Sequence, residues 1–268
     1  MVELQVIGGG RMGEALVGGL LKAGGLSLAA VRIVEPDLRR RDALHDAFPG
    51  VDIIDEPGPA DGNVLAVKPA DVPTACRALA AGGPSRVLSI AAGVTIAALE
   101  AELAAGSRVV RAMPNTPAVV GVGAAAIAPG TAATDDDMTW AEGLLGAVGI
   151  VVRVKEPLLD AVTGLSGSGP AYVFLVAEAL IEGGVLAGLP RDISRDLTLQ
   201  TLLGAASLLI EGDDGPEALR AAVTSPGGTT AAGLLVLEQH GLRAAFMEAV
   251  GSATERSRAL GAGAQSPL

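Results

Sequence analysis

The sequence predicts an α/β protein, with a doubly wound parallel sheet in residues 1–156 and an all-helical region in residues 157–268. Three observations lead to this fold class. Short apolar runs alternate with helical patterns up to Glu156, a glycine-rich turn joins the first run to the first helix, and strand-like runs stop after Glu156. The 268 residues are enough for two domains with cores of their own.

The first predicted strand, residues 4–7, leads into a turn with the G-x-G-x-x-G spacing, and a helical pattern follows at residues 16–21. Gly8 permits the tight turn, Gly10 the close approach of a pyrophosphate, and Gly13 the packing of helix against strand. The sequence therefore predicts a Rossmann-type dinucleotide-binding domain. Its predicted cofactor contacts in this turn are Gly8, Gly10, Arg11, Met12 and Gly13.

The second predicted strand, residues 31–35, ends in the acidic residue that decides how a ribose is bound. A carboxylate at Glu35 favours the ribose hydroxyls of NAD, about twenty residues after the glycine turn. The three arginines at residues 39–41 favour the extra phosphate of NADP. Solvated surface charge is the alternative reading of the arginines, so the preference between NAD(H) and NADP(H) stays open.

Further strands are predicted at residues 62–67, 85–90, 109–110, 123–128 and 149–154, with helices at 38–47, 70–79 and 95–102 between them. Ligands of such sheets lie at the carboxyl ends of the strands, so Lys68, Gly93 and Asn115 are expected to face one crevice. A solvent-facing strand end is the alternative for Lys68. The predicted cofactor contacts along this edge are Ala66, Val67, Lys68, Pro69, Ala92, Gly93 and Asn115.

Composition excludes several classes of function. The net charge of −11 and the pI of 4.6 argue against nucleic acid or an anionic membrane as a partner. No uninterrupted apolar run reaches the length of a bilayer span, and the chain starts with a strand pattern rather than a signal sequence, so we expect a cytoplasmic protein. Cys76 is the single cysteine and is expected to be buried; with only His45 and His240, no metal site is expected.

Helical patterns fill the second half at residues 158–186, 192–210, 216–223, 230–240 and 242–260. Asp192 and Thr230 are predicted as N-caps. Pro170 lies inside the first pattern and predicts a kink or break there. This helix is so apolar that a small helical domain cannot bury it alone, which favours a subunit interface. We therefore expect dimerisation through this half of the chain.

Residues 223–233 read VTSPGGTTAAG, a Pro-Gly-Gly turn that leads directly into a helical pattern. Glycines let backbone N–H groups turn inward, and Thr229 or Thr230 can cap the helix. A helix start of this kind binds a carboxylate or phosphate through main-chain donors. An ordinary capped loop is the alternative interpretation.

Six motifs occur in order: GGGRMG at the start, AVKP at 66–69, SIAAG at 89–93, RAMPNTP at 111–117, GLSGSGPAY at 164–172 and VTSPGGTT at 223–230. Together they resemble the pyrroline-5-carboxylate reductase family over essentially the whole chain. The resemblance implies hydride transfer from NAD(P)H to the imine carbon of 1-pyrroline-5-carboxylate, which gives L-proline, the last step of proline biosynthesis. It also implies a homodimer, and some family members form rings of five dimers, so the order of assembly stays open.

The same resemblance implies roles for individual residues. Thr230 matches the family threonine that lies near the imine nitrogen, and Gly228, Thr229 and Thr230 form the loop that takes the substrate carboxylate. Glu156 matches a family position near the substrate ring, where a carboxylate favours the protonated, more electrophilic iminium. A helix N-terminal charge is the alternative for Glu156.

Other functions compete with this one. A reductase of a related cyclic imine, such as a six-membered homologue, differs by a single methylene, which discriminates by only about 1–3 kcal/mol. A hydroxy-acid dehydrogenase of the hydroxyisobutyrate type shares the two-domain build but uses a catalytic lysine on the interdomain helix, and residues 158–186 contain no lysine. A cofactor-binding protein without activity would have no use for the carboxylate loop.

Overall fold

The computed structural model describes residues 2–262, and these divide into two compact units. The first contains residues 2–168 together with 251–262, and the second is Gly169–Val250. The second unit is helical throughout. The predicted combination of a sheet domain and a helical region is therefore confirmed.

Within the described residues, the first unit contains one eight-stranded sheet in the order β3-β2-β1-β4-β5-β6-β7-β8. Strands β1 to β6 are parallel to one another. Strand β7 is antiparallel to β6, and β8 is parallel to β7. The strands are β1 Leu4–Ile7, β2 Val31–Val34, β3 Asp52–Ile54, β4 Gly62–Leu65, β5 Arg86–Ser89, β6 Arg108–Met113, β7 Gly123–Pro129 and β8 Gly149–Arg153.

Helices cover both faces of this sheet, because alternate residues of the inner strands point to opposite sides. On one face Val6 and Val64 belong to a core cluster with Leu16; on the other, Ile7 and Leu65 are among the cluster that includes α3. The helices of the unit are α1 Arg11–Lys22, α2 Leu38–Ala47, α3 Val72–Ala80, α4 Ile96–Glu102, α5 Asp135–Gly146 and α6 Leu159–Val162.

Two elements of the first unit were not expected from the sequence. The edge strand β3 has three residues, too few for a readable alternation. Helix α5 begins with three aspartates, and its start is fixed by a capping box between Thr134 and Asp137. Asp137 is fully buried because its carboxylate pairs with Arg86 and Arg108.

The antiparallel β7 departs from the expected all-parallel sheet. Residues 114–122, which join β6 to β7, hold only a 3₁₀ turn at Thr116–Val120. A parallel crossover needs a dozen or more residues, so a connection this short returns the chain in the opposite direction. The next connection contains α5, and β8 therefore lies parallel to β7.

The second unit consists of α7 Gly169–Leu186, α8 Arg191–Glu211, α9 Pro216–Ala222, α10 Thr229–Gln239 and the first part of α11. Helix α11 spans Leu242–Gly261, and its residues up to Val250 belong to this unit. The predicted caps are wrong: Pro190 precedes α8 and Gly228 precedes α10, so Asp192 and Thr230 lie inside the helices. Proline and glycine supply the extended backbone that precedes a helix without a side-chain hydrogen bond.

The predicted break before Pro170 is present. Helix α6 ends at Val162, a π-helical turn follows at Thr163–Gly167, and α7 begins at Gly169. The N–H of Ser168 donates to the carbonyl of Thr163 at 2.8 Å, which closes the wide turn.

One helical segment has the length and composition of a membrane-spanning helix. Glu156–Leu186, taken as one helix of 31 residues, is long and apolar enough to cross a membrane. Polar side chains and Pro170 interrupt its apolar run, and core helices of soluble proteins share the same length and composition.

Candidate active site

The turn between β1 and α1 has the shape that a pyrophosphate needs. Gly8 has a φ of +104°, and a Cβ there would lie 2.6 Å from the carbonyl oxygen of Ala66. A Cβ on Gly13 would collide with the carbonyl oxygen of Gly8, whereas a Cβ on Gly10 would meet nothing within 4 Å. Gly10 precedes α1 without a side-chain cap, so the first N–H groups of the helix face open space. These residues fit a dinucleotide.

The other two predicted cofactor contacts of the glycine-rich segment, Arg11 and Met12, are the first two residues of α1. Arg11 is exposed, and Met12 is partly buried against the core. Both help to line a cavity of about 1140 Å³ along α1, which continues to the 3₁₀ turn at Thr116–Val120.

Glu35 directly follows β2, and its carboxylate is hydrogen-bonded to two backbone groups. Oε2 accepts from the N–H of Gly9 at 3.0 Å and Oε1 from the N–H of Asp37 at 3.0 Å. The carboxylate therefore ties the glycine turn to the loop after β2, at the position expected for a ribose contact.

Two of the three arginines near Glu35 are already engaged. Arg40 donates from Nε to the carbonyl of Gly9 at 2.5 Å and pairs with Glu14. Arg41 donates to the carbonyls of Glu35 and Pro36 at 2.8 and 2.9 Å. Arg39 is exposed, and no acceptor among residues 2–262 is bound to its guanidinium. Of the three, Arg39 is the one whose five N–H donors are all without an acceptor among the described residues, which favours it for a phosphate contact.

The carboxyl ends of β4, β5 and β6 lie side by side, as predicted, because the three strands are parallel neighbours. Lys68 is exposed and precedes the 3₁₀ turn Pro69–Asp71, while Gly93 has a φ of +72° in the turn after β5. Ala66 donates from its N–H to the carbonyl of Ile7 at 2.8 Å, so the residues after β4 lie next to the glycine turn. Val67 is partly buried, and the backbone of Ala92 leads into Gly93.

The Asn115 side chain serves the fold of its own turn. Its Nδ2 donates to the carbonyl of Ser166 at 3.1 Å, and its Oδ1 accepts from the N–H of Ala124 at 2.8 Å. The amide thereby fixes the end of β6 against the start of β7. One N–H of the amide remains for a ligand.

Glu156 lies in a 3₁₀ turn before α6 and is held by a buried arginine. Its Oε1 accepts from Arg111 at 2.9 Å and from the backbone N–H of Ile96, the first residue of α4, at 2.7 Å. The Arg111 side chain is 8% exposed and that of Glu156 is 31% exposed. The sequence analysis did not single out Arg111. An arginine in the interior of an apolar strand was the available signal, because a buried guanidinium requires an acceptor.

The Pro-Gly-Gly loop belongs to the second unit and has the form expected of an anion site. Gly227 has a φ of +68°, and a Cβ on Gly228 would collide with the Ser225 side chain. No side chain caps α10, so its first N–H groups remain available. Within the described chain, the hydroxyls of Thr229 and Thr230 make no hydrogen bond; Thr229 is exposed and Thr230 half-buried.

Cys76 is buried in the core, as expected, and has no role in chemistry. Burial raises the pKa of its thiol to about 11, the carboxylate of Glu102 adds to this and Arg77 partly opposes it. Among residues 2–262, no group of three His, Cys, Asp or Glu side chains is placed to hold a metal ion.

The glycine turn, the acidic residue after β2 and the shared carboxyl edge define an oxidoreductase that binds a nicotinamide dinucleotide. Comparison with protein families agrees: residues 3–93 match the family described as NADP oxidoreductase, coenzyme F420-dependent, and residues 156–260 match pyrroline-5-carboxylate reductase dimerisation. The second match indicates that the helical region makes a homo-oligomer.

Relatives of known name cover nearly the whole chain. A pyrroline-5-carboxylate reductase of Synechocystis is 44% identical over 265 residues, 97% of this chain and 98% of the relative. The solved pyrroline-5-carboxylate reductase of Coxiella burnetii superposes with a TM-score of 0.90 at 37% identity, over 97% of this chain and 98% of that one. The chain belongs to the pyrroline-5-carboxylate reductase family, and the resemblance noted in the sequence is confirmed.

Two other structures bear on the cofactor and the fold. The Plasmodium falciparum pyrroline carboxylate reductase, solved with NADP bound, has a TM-score of 0.84 at 30% identity over 97% of this chain and 98% of that one. The prephenate dehydrogenase of Aquifex aeolicus has a TM-score of 0.55 at 14% identity, covering 91% of this chain and 98% of that one. The latter likeness concerns the fold alone.

Proposed function

We propose that this chain reduces 1-pyrroline-5-carboxylate to L-proline, with the hydride supplied by bound NADH or NADPH. One observation carries the proposal: α10 starts without a cap, directly after a Pro-Gly-Gly turn, and two threonine hydroxyls there have no partner among the described residues. Backbone donors at a helix start bind a carboxylate, and a free hydroxyl can serve the imine nitrogen. A small cyclic imine with one carboxylate presents both groups.

The residues of the first unit are assigned to the cofactor. The glycine turn holds the pyrophosphate at the start of α1, and Glu35 holds the ribose. The residues at the carboxyl ends of β4, β5 and β6 hold the nicotinamide half of the cofactor. The proposed contacts are Gly8, Gly10, Arg11, Met12, Gly13, Glu35, Ala66, Val67, Lys68, Pro69, Ala92, Gly93 and Asn115.

The residues of the second unit are assigned to the substrate. Gly228 shapes the turn, and its own N–H donates to the carbonyl of Ser225 at 3.0 Å. The free N–H groups of Thr229 and Thr230 at the start of α10 bind the carboxylate, which orients the ring. Thr230 donates a hydrogen bond from Oγ1 to the ring nitrogen. The nitrogen gains a proton as the imine carbon is reduced, and water replenishes the hydroxyl. A threonine hydroxyl is a poor acid, so most of the acceleration comes from orientation.

Glu156 is assigned to the neighbourhood of the substrate ring, where a carboxylate stabilises the positive charge that develops on the ring nitrogen as the proton arrives from Thr230. Its Oε1 is engaged by Arg111 and by the N–H of Ile96, whereas Oε2 has no donor among the described residues. The free oxygen supports the assignment, and the charge of Arg111 limits its electrostatic effect to a modest one.

We further propose a cytoplasmic homodimer that associates through the helical region. Exposed apolar side chains in that region support the dimer, and a single cysteine without a disulfide partner suits a reducing compartment. The division into domains 1–156 and 157–268 remains a prediction. The dimerisation match from residue 156 supports it, although the compact units divide after Ser168 and again before Gly251. Assembly of dimers into rings is left open.

The purified chain, mixed with 1-pyrroline-5-carboxylate and either NADH or NADPH, is the direct test. The proposal predicts oxidation of at least one cofactor with L-proline formed in equal amount, identified by chiral chromatography. A six-membered imine carboxylate serves as the comparison substrate. Faster turnover of the six-membered ring would make that homologue the substrate, and no turnover of either imine by a folded dimer would contradict the proposal.

A further inference from the structure

The last turns of α11 pack on the loop that follows β5, within the first unit. A Cβ built on Gly261 would lie 3.6 Å from the carbonyl oxygen of Gly93 and 3.7 Å from Cγ2 of Thr95. From the other side, a Cβ built on Gly93 would lie 3.5 Å from Cβ of Leu260. The helix end therefore lies so near residues 93–95 that a methyl group added at either glycine would reach ordinary van der Waals contact.

Small side chains on one face of α11 permit this approach. Thr254, Ser257 and Gly261 recur at helical spacing, and the first two are 8% and 3% exposed. Ser257 donates from Oγ to Oδ1 of Asp160 in α6 at 2.6 Å. A hydrogen bond to a charged group, made from a buried hydroxyl, fixes the rotation of α11 about its own axis.

The same loop is held at its other end by Glu156, which accepts from the N–H of Ile96 at the start of α4. Residues 91–96 are thus fixed from outside the sheet at two places, by the turn before α6 and by the end of α11. Both holding segments fall in the part of the sequence that matches the dimerisation family or directly follows it.

We infer that the end of α11, through Ser257 and Gly261, is a positioning element that holds the Ala92–Gly93 loop in its cofactor-binding conformation. The inference rests on the proposed function in one respect, the assignment of Ala92 and Gly93 to the nicotinamide half of the cofactor. Gly93 has a φ of +72°, and glycine leaves its backbone unrestricted, so contacts with neighbouring segments are what can restrict this loop.

Two variants test this element by different routes. Ser257→Ala removes the bond to Asp160. Gly261→Leu brings its Cβ to ordinary contact distance from Gly93 and Thr95 and must fit three further carbons beside them, which is expected to disturb residues 93–95. Arg256→Gln changes an exposed residue of the same helix and is the control. The dissociation constants of NADH and NADPH are measured directly by nucleotide fluorescence, without substrate, and the melting temperature is recorded for each variant.

The expected result is a dissociation constant raised about five- to tenfold in both variants, with Arg256→Gln equal to the original chain. Unchanged cofactor affinity in folded variants, whatever their melting temperature, would overturn the inference and leave α11 a purely structural element. If the original chain binds cofactor but does not reduce 1-pyrroline-5-carboxylate, the proposed function fails, and the affinities of the variants still decide the inference.

Discussion

The sheet unit and the helical unit differ in where their apolar side chains lie. In the sheet unit Val6, Val64 and Val110 are completely buried in the core cluster between one face of the sheet and the helices that cover it. In the helical unit Phe174, Leu203 and Leu208 are 62%, 61% and 61% exposed within the single chain. One unit contains its own core, whereas the other requires a partner surface to bury its apolar residues. A single chain therefore shows the complete core of the cofactor-binding fold but only one side of the oligomer interface.

The largest expected effect comes from a charge on the helical surface. Leu203→Glu in α8 is expected to raise the dimer dissociation constant at least about a hundredfold, because two leucines per dimer lose about 1.5–3 kcal/mol each. Light scattering coupled to size-exclusion chromatography measures the mass at several concentrations. Leu38→Glu in α2 is the matched control, since Leu38 is 64% exposed in the sheet unit. An unchanged mass for Leu203→Glu would break the comparison.

The sheet unit is expected to respond most to Asp137→Ala. The carboxylate is fully buried and pairs with Arg86 at 2.6 Å and Arg108 at 3.3 Å, and both arginines are partly exposed. We expect a loss of about 2–3 kcal/mol in the free energy of unfolding, below the roughly 3–5 kcal/mol of a fully buried pair. Urea denaturation measures it. Asp135→Ala, on the same helix with a 97% exposed carboxylate, should cost under about 0.5 kcal/mol.

The same carboxylate predicts a pH dependence. Burial raises the pKa of Asp137, but hydrogen bonds from Thr134 and Arg86 and the charge of Arg108 outweigh it and hold the pKa below its ordinary value. A lowered pKa stabilises the fold fully above the unfolded value of about 3.9, and the stabilisation is lost as the pH falls through the folded value. The Asp137→Asn variant should therefore lose less of its free energy of unfolding than the original chain as the pH falls below about 4. An equal loss in the two proteins would contradict this.

Thr230, the proposed hydrogen-bond donor to the imine nitrogen, gives a smaller effect. Thr230→Ala is expected to lower kcat about ten- to a hundredfold, since it removes one hydrogen bond and leaves hydride donor and acceptor oriented. Stopped-flow oxidation of the cofactor measures the chemical step. Thr230→Ser keeps the hydroxyl and should recover most of kcat. Complete inactivity of a folded Thr230→Ala enzyme would make the hydroxyl an essential acid.

The smallest effect concerns cofactor preference. Arg39→Ala should weaken NADPH binding about fivefold and leave NADH binding unchanged, because a solvent-exposed guanidinium contributes about 1 kcal/mol to a phosphate contact. Arg41→Ala is the control: its guanidinium is bound to backbone carbonyls, so any effect should be equal for the two cofactors. Titration with each nucleotide distinguishes them. Equal weakening of NADH and NADPH by Arg39→Ala would exclude a role in selectivity.

Local patterns predicted much of the sheet unit. The spacing of Gly8, Gly10 and Gly13 is a backbone requirement, so it is visible in the residues themselves. The pairing of Glu156 with Arg111 joins residues 45 positions apart, and no local pattern specifies a partner. The antiparallel direction of β7 follows from the short connection at residues 114–122, which leaves no room for a parallel crossover.

In the helical unit the starts of α8 to α11 were predictable to within one residue, whereas the residues that cap α8 and α10 were not. Thr230 looks like a cap, yet the backbone of Gly228 takes that place and leaves the hydroxyl free. The packing of α11 on Gly93 depends on small residues at helical spacing, whose partner becomes apparent only in three dimensions. Tertiary contacts therefore decide what sequence periodicity leaves open.

In the proposed function the sheet unit binds the cofactor, and the loop before α10 recognises the substrate carboxylate. The most direct measurement compares kcat/KM for 1-pyrroline-5-carboxylate with that for 1-pyrroline, the same imine without its carboxylate, using one cofactor. Hydrogen bonds to a charged group contribute about 1.5–3 kcal/mol, so the account predicts a preference of about ten- to a hundredfold or more for the carboxylate. Equal values for the two imines would contradict it.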